Sequence, residues 1–290
     1  MTGGAAETAG AIAPWEPPAI DEATIRAFER DGFVIVDDLL RYDELDHFGP
    51  AVAAAVAALS ARDRRALAEK STYEQSFTQC MNLWEDFPDV RPFTFHPRIA
   101  AAAATLLRVD AVRLWHDQAL FKAPGGRITD VHQDQPYWPI AETATVTAWV
   151  PLDGATLSSG CLGYVAGSHR AGVRKFVDIF RGEPEDLLTD PALGGGEVDY
   201  REVRRGAVAF HHGLTAHCAM PNRTAQTRRV HTMIYFADGC TRGNDQRHFA
   251  VDRPGIALGE RIASDVTPIA HPADSLPPPP ADRHPPRRPR

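Results

Sequence analysis

From about residue 111 onward the chain becomes a succession of short strand-forming runs, separated by glycine, proline and polar turn residues, with little helical pattern between them. The runs fall at 111–122, 145–152, 161–165, 203–211, 214–220 and 229–237. A doubly wound parallel sheet needs a helix between successive strands, so this pattern excludes it and predicts a sandwich or jelly-roll barrel. The expected fold is mainly β with flanking helices, and its core is placed at 111–240. No internal repeat interrupts that reading.

The half before residue 111 reads as helical support for the sheet, at 21–107. Asp21 is a suitable N-cap, Ile25 and Phe28 share a helix face, Gly32 can end the helix, and Phe33-Val34-Ile35-Val36 follows as a strand. The alanine-rich stretch 43–69 spaces Val52, Val56 and Leu59 for a second helix, with Pro50 in its first turn or at a kink. Pro97 opens another at 97–107. Residues 1–18 and 271–290 are rich in Gly, Ala and Pro or in Pro and Arg, and bury too little apolar surface to offset the entropy of ordering them. They are expected to be disordered, flanking a single domain at 19–270. The loop between Gly167-Ser168-His169 and Val203 is long enough for a lid or binding loop, with a disordered connection as the alternative; its Arg170, Arg174, Lys175 and Arg181 are read as solvated charges.

A formal net charge of −7 gives no overall electrostatic reason to bind nucleic acid or an anionic membrane. Cys80, Cys161, Cys218 and Cys240 form no CxxC pair, which suits buried thiols in a reducing compartment, so a cytoplasmic protein is expected. No apolar run approaches the ~20 residues of a membrane span. The expected partner is a small molecule, with monomer and homodimer both open.

Chemistry concentrates in His132-Gln133-Asp134. If this segment is extended, alternation turns His132 and Asp134 to one face, where an imidazole and a carboxylate can share a metal. HxD alone is a weak signal in a chain with 12 histidines. Its setting strengthens it: a Pro124-Gly125-Gly126 turn precedes it, and Pro136, Tyr137 and Trp138 follow. Phe210 to Asn222 supplies a third ligand, but spacing leaves His212 and His217 both open, while His211 and His212 must face opposite ways. Two imidazoles and a carboxylate on one face form the donor set of non-haem Fe(II) oxygenases. Further on, Arg228 shares strand parity with Val230, Thr232, Ile234 and Phe236, so it points inward and Arg229 outward. A buried guanidinium needs a partner, and a ligand carboxylate or an internal Asp or Glu would serve.

These segments resemble the phytanoyl-CoA dioxygenase family. The likeness runs through Phe121-Lys122-Ala123-Pro124-Gly125, His132 to Pro139, and Ala148-Trp149-Val150-Pro151-Leu152-Asp153. It continues in Gly160-Cys161-Leu162, Ala166-Gly167-Ser168-His169, His212 to Asn222, and Arg228. With Phe28-Glu29-Arg30-Asp31-Gly32-Phe33 it covers roughly residues 22–240; Ala166 stands where the family usually has proline. The resemblance implies a double-stranded β-helix, cupin-like in form. It implies Fe(II) held by His132, Asp134 and His217, with 2-oxoglutarate held by Arg228 beside Trp149 and, more weakly, Gln118. Lys122 also matches a family position.

The implied reaction uses O2 to oxidise a substrate C–H bond, most simply by hydroxylation, with release of succinate and CO2. Halogenating relatives lack the carboxylate ligand, so Asp134 argues against halogenation. Tyr137, Trp138, Gln79, Asn82, Trp84 and Phe77 are the candidate substrate wall, in a reading that favours secondary metabolism. His212, His116 and His169 are read as structural. Rival readings are a cupin-like isomerase, a zinc hydrolase or a non-catalytic ligand-binding barrel; Arg228 and Trp149 speak against the first two, and the complete ligand set against the third.

Overall fold

In a computed structural model, residues 19–174, 187–193 and 195–281 are described. The first helix, Glu22–Asp31, is fixed at both ends: Asp21 accepts the Thr24 N–H at 2.7 Å, and Gly32 closes it in the left-handed conformation at φ 80°. The second runs Tyr42–Ser60 with Pro50 in its interior. It stops well short of residue 69. Arg62-Asp63-Arg64-Arg65 offers no apolar face, and the Asp63 side chain accepts the Arg65 N–H at 3.1 Å, turning the chain. A helix at Pro97–Leu107 forms where expected.

Eleven strands are present among the described residues: β1 Phe33–Val36, β2 Thr78–Met81, β3 Val112–Lys122, β4 Thr129–His132, β5 Thr145–Pro151, β6 Leu162–Val165, β7 Val198–Arg201, β8 Val208–His212, β9 His217–Ala219, β10 Arg228–Ala237 and β11 Ile269–His271. The larger sheet has the order β1-β8-β5-β10-β3-β11, with β2 also on β3; the smaller has the order β4-β9-β6-β7. All pairings are antiparallel. β2, β7 and β11 were not expected from the sequence, and β4 only as the extended segment supposed at His132. Each has only three or four residues and, unlike the equally short β1, no continuous apolar run to mark it.

Parity divides the larger sheet. Val146, Ala148 and Val150 of β5, with Phe210 of β8 and Met233 and Tyr235 of β10, pack on Val52, Val56, Ile99 and Ala103 of the helices. The opposite face sends Trp149, Ala209 and Val230 against Leu162, Tyr164 and Ala219 of the smaller sheet. A register shift between Ile234 and Tyr235 places an extra residue in β3. Leu114 therefore lies in the helix-side core, while His116, Gln118 and Leu120 line the space between the sheets.

The expected disordered C-terminal segment is placed in part. β11 includes His271, Pro280 is buried, and Ala281 donates to Asp265 at 3.2 Å. Residues 1–18 and 282–290 lie outside the described residues, as do Lys175 and Arg181. No helix of the described residues is long and apolar enough to cross a membrane.

Candidate metal centre and its cavity

His132 ends β4 and His217 begins β9, directly opposite each other in register, which brings their ring centroids to 4.3 Å. Asp134 joins them by a different route from the expected one. β4 ends at His132, and Asp134 is in the right-handed helical region (φ −76°, ψ −42°) as N-cap of the turn Gln135–Tyr137. Pro136, which has no N–H for a ladder, follows it. The carboxylate therefore swings to the histidines at a turn rather than by alternation. Asp134 Oδ1 lies 3.8 Å from His132 Nε2 and 3.8 Å from His217 Nε2, and the three ligand atoms all lie within 4.8 Å of one another.

Each imidazole is oriented from behind. His132 Nδ1 meets the Asp130 carbonyl at 2.8 Å and His217 Nδ1 the Thr215 carbonyl at 2.9 Å. A carbonyl only accepts, so Nδ1 carries the hydrogen and Nε2 presents its lone pair to the cluster. Burial pushes both rings down to about 4, which keeps them neutral. Burial would raise the Asp134 carboxyl, but His217, the hydrogen bond from His211 and His132 outweigh it and hold the group below the usual carboxylate range. Asp134 Oδ2 is taken by the Thr147 hydroxyl at 2.9 Å and by His211 Nε2 at 3.2 Å. Oδ1 and two lone pairs remain on one side. This donor set fits a divalent metal that keeps three further positions.

Gln133, between the two ligands, ties the site to the loop. Its amide donates to Gly172 O at 3.0 Å and Leu214 O at 2.6 Å, and accepts the Arg174 N–H at 2.8 Å. Arg174 pairs with Asp190 at 2.8 Å, and Arg170 donates to the Arg30 carbonyl.

The cluster opens into a cavity of about 730 Å³ between the sheets, a size suited to a small-molecule ligand. Arg228 lies in its wall, 4% exposed. Nη1 donates to Gly160 O at 2.8 Å and Nη2 to Leu120 O at 3.2 Å, while Nε is buried without a partner. Its guanidinium sits 5.3 Å from the centre of the Trp149 ring. Burial depresses it to about 9, and no carboxylate opposes that. The internal ion pair that would make it structural is therefore missing among the described residues. Arg229 faces out to Asp153 at 2.5 Å. Lys122 is fully buried and pushed down to about 6 by burial and by Arg228; its Nζ donates to Arg127 O at 2.5 Å.

Gln118, Gln79, Phe77, Tyr137 and Trp138 line the cavity. The Tyr73 hydroxyl donates to Gln79 Oε1 at 2.7 Å, and Gln79 Nε2 donates to Gln118 Oε1 at 2.5 Å, which fixes both amides. Two expected wall residues lie elsewhere. Asn82, at φ 58°, turns the chain out of β2 into the helix Leu83–Asp86. That helix packs on the other side of the larger sheet, where Trp84 is fully buried, edge-on to Phe95 at 5.3 Å. His116 does line the cavity, with Nδ1 buried and unpartnered, contrary to the structural reading of it. His212 faces away; its Nδ1 accepts the Leu214 N–H at 3.0 Å and its ring lies 5.4 Å from that of His169, which contacts Glu29 O.

Sequence reasoning missed His211, Thr147 and the segment Gln246 to Arg253, which closes one end of the cavity. Parity was a usable signal for His211, since β8 alternates Ala209 and His211 inward against Phe210 and His212. Nothing local marks 246–253, which returns to the cavity only through tertiary folding.

Two antiparallel sheets enclosing a two-histidine, one-carboxylate cluster, with a buried arginine beside it, define a jelly-roll protein with a candidate facial-triad metal centre. The family model for phytanoyl-CoA dioxygenase (PhyH) matches residues 28–230, more than half of the chain, and the protein belongs to that family. A phytanoyl-CoA dioxygenase of Arabidopsis thaliana is 26% identical over 163 residues, 54% of this chain and 56% of that protein. The chain spans about half the length of the curated relatives it matches. Among solved structures, the non-haem alpha-ketoglutarate-dependent carbocyclase SnoK from nogalamycin biosynthesis aligns with TM-score 0.71 and 24% identity, covering 88% of this chain and 99% of that one. The epimerase SnoN, solved in complex with Fe3+, alpha-ketoglutarate and nogalamycin RO, aligns with TM-score 0.72 and 25% identity, covering 86% and 98%.

Proposed function

We propose that the protein is a non-haem Fe(II)- and 2-oxoglutarate-dependent dioxygenase that oxidises, in the simplest case hydroxylates, a C–H bond of a small-molecule natural product. The observation that carries this is Arg228, a buried guanidinium without a carboxylate, in the same cavity as the His132, Asp134 and His217 cluster. A zinc hydrolase built on the same donors would leave Arg228 with nothing to bind. SnoN's bound alpha-ketoglutarate and nogalamycin RO support both the co-substrate and the substrate class.

When bound, the iron with 2-oxoglutarate and O2 supplies the oxidising power, the 2-oxo acid leaving as succinate and CO2. The chain's own residues do the rest. His132, Asp134 and His217 hold the metal from one side. Arg228 takes the far carboxylate of the co-substrate through its unused N–H donors, with Trp149 against its guanidinium face and Gln118 alongside. Gln79, Phe77, Tyr137 and Trp138 bound the space left for the substrate and exclude water from it. On a bound metal the carboxylate of Asp134 would fill the position a halide needs, which favours hydroxylation over halogenation. The four cysteines are free and buried, which supports a reducing, cytoplasmic location.

The test is an anaerobic Fe(II) and 2-oxoglutarate titration, followed in air by succinate release across a natural-product panel. Asp134→Ala should abolish both binding and substrate-stimulated succinate; undiminished turnover in this variant would sink the proposal.

A further inference from the structure

His211 lies on β8 opposite Thr147 of β5 in register. It is not one of the three clustered ligands. Its Nε2 points at Asp134 Oδ2, 3.2 Å away, and the Thr147 hydroxyl donates to that same oxygen at 2.9 Å. The His211 side chain is 2% exposed and its ring is packed between His217 at 4.3 Å and Tyr164 at 5.7 Å, so it has one orientation available. Nδ1 is buried without a partner. A carboxylate oxygen only accepts, so Nε2 carries a hydrogen and donates it to Oδ2.

A carboxylate beside a metal can bind through one oxygen or both. Through both, Asp134 would fill two coordination positions, and with the two histidines only two of six would stay open. A chelating 2-oxo acid would then occupy everything left. Two donors gripping Oδ2, one from each of two adjacent strands of a rigid sheet, prevent that rotation and leave only Oδ1 facing the histidine nitrogens.

We propose that His211 and Thr147 are positioning residues that keep Asp134 bound through a single oxygen, and so keep three coordination positions open. This rests on the metal-centre reading above. Neither belongs to the three-residue cluster, and both reach it through Asp134 Oδ2.

The experiment uses Co(II) alone as the probe, titrated into the full chain and followed by its visible absorption. In wild type, Co(II) should bind and give a defined spectrum; failure to bind would overturn the metal centre itself, and this proposal with it. His211→Phe removes the donor while keeping a ring. It should weaken Co(II) binding about 10- to 100-fold, the usual effect of losing such an outer hydrogen bond, and alter the spectrum as the freed Oδ2 reaches the metal. His211→Gln, which retains an N–H donor, should restore both. Thr147→Val should shift the spectrum in the same direction, which keeps the test available if the aromatic variant does not fold. Weaker binding with an unchanged spectrum in both His211→Phe and Thr147→Val would make these residues ordinary packing, and would overturn the proposal, as would wild-type affinity in both.

Discussion

Replacing Arg228 with methionine should move co-substrate binding and protein stability in different ways. The guanidinium has five N–H donors, of which one on Nη1 and one on Nη2 are used by the Gly160 and Leu120 carbonyls. The remaining three, including the unpartnered Nε, are available to a carboxylate. Truncating one member of a buried, hydrogen-bonded charge pair costs about 2–5 kcal/mol. At about 1.4 kcal/mol per decade this weakens 2-oxoglutarate binding about 30-fold to 4,000-fold.

The free protein should suffer little. Depression of Arg228 from 12.5 to about 9 corresponds to roughly 5 kcal/mol of desolvation at about 1.4 kcal/mol per pKa unit. Methionine relieves that cost but leaves two carbonyls without donors, at about 1–3 kcal/mol each, so the two nearly cancel. The assay is thermal denaturation of the metal-loaded protein with and without the 2-oxo acid. At 100 times its Kd the ligand adds about 2.7 kcal/mol of stability, or a shift of about 5–10 °C for a chain of this size. A 100-fold loss of affinity would leave about 0.4 kcal/mol. Arg228→Lys should not rescue the shift, since an ammonium lacks the planar fork. A wild-type shift in Arg228→Met would refute the reasoning and make Arg228 structural.

Lys122→Met tests the buried amine whose titration is lowered by burial and by Arg228. The folded-state value of about 6 lies below the ordinary 10.5, so between these values the unfolded chain binds more protons, and stability from this group rises with pH across that window. The variant should gain a few degrees in Tm at pH 6–7 and show a flatter profile up to pH 10; an equal loss at every pH would contradict this. Trp84→Ala tests the corrected substrate wall. It should cost about 3–5 kcal/mol in urea denaturation while leaving 2-oxoglutarate affinity at the wild-type value, and normal stability with altered affinity would put Trp84 back in the site.

What was legible in the sequence was what local geometry decides. Strand parity is local, so it separated Arg228 from Arg229 and gave His211 and His212 opposite faces. Convergence of His132 and Asp134 was foreseen for the wrong reason. Pro136 was in plain view, but its consequence, a turn beginning at Asp134, depends on Gln135 donating to the Gly213 carbonyl at 2.8 Å, a partner far along the chain. Choosing His217 over His212 required the family likeness, since only the β4–β9 register places it opposite His132. Trp84 and Asn82 were misplaced because composition cannot tell which side of a sheet a short helix covers, and that is decided by the left-handed turn at Asn82. Residues 246–253 carried no local mark at all.

Charge balance explains why the cavity suits two guests better than one. Asp252 and Arg253, also in its wall, are paired, Asp252 with Arg242 at 3.0 Å and Arg253 with Glu85 at 2.9 Å. Lys122, at about 6, is mostly neutral at pH 7, and the two cluster histidines are neutral. Arg247 stands in solvent at the rim, 3.8 Å from Asp252, so the uncompensated charges held within the wall are one negative at Asp134 and one positive at Arg228, on separate parts of it. A divalent cation against Asp134 alone would leave a net charge of about +2 in a low-dielectric space, and a dicarboxylate against Arg228 alone about −2, each costly to bury. Bound together, they would sum to zero with the residues that hold them.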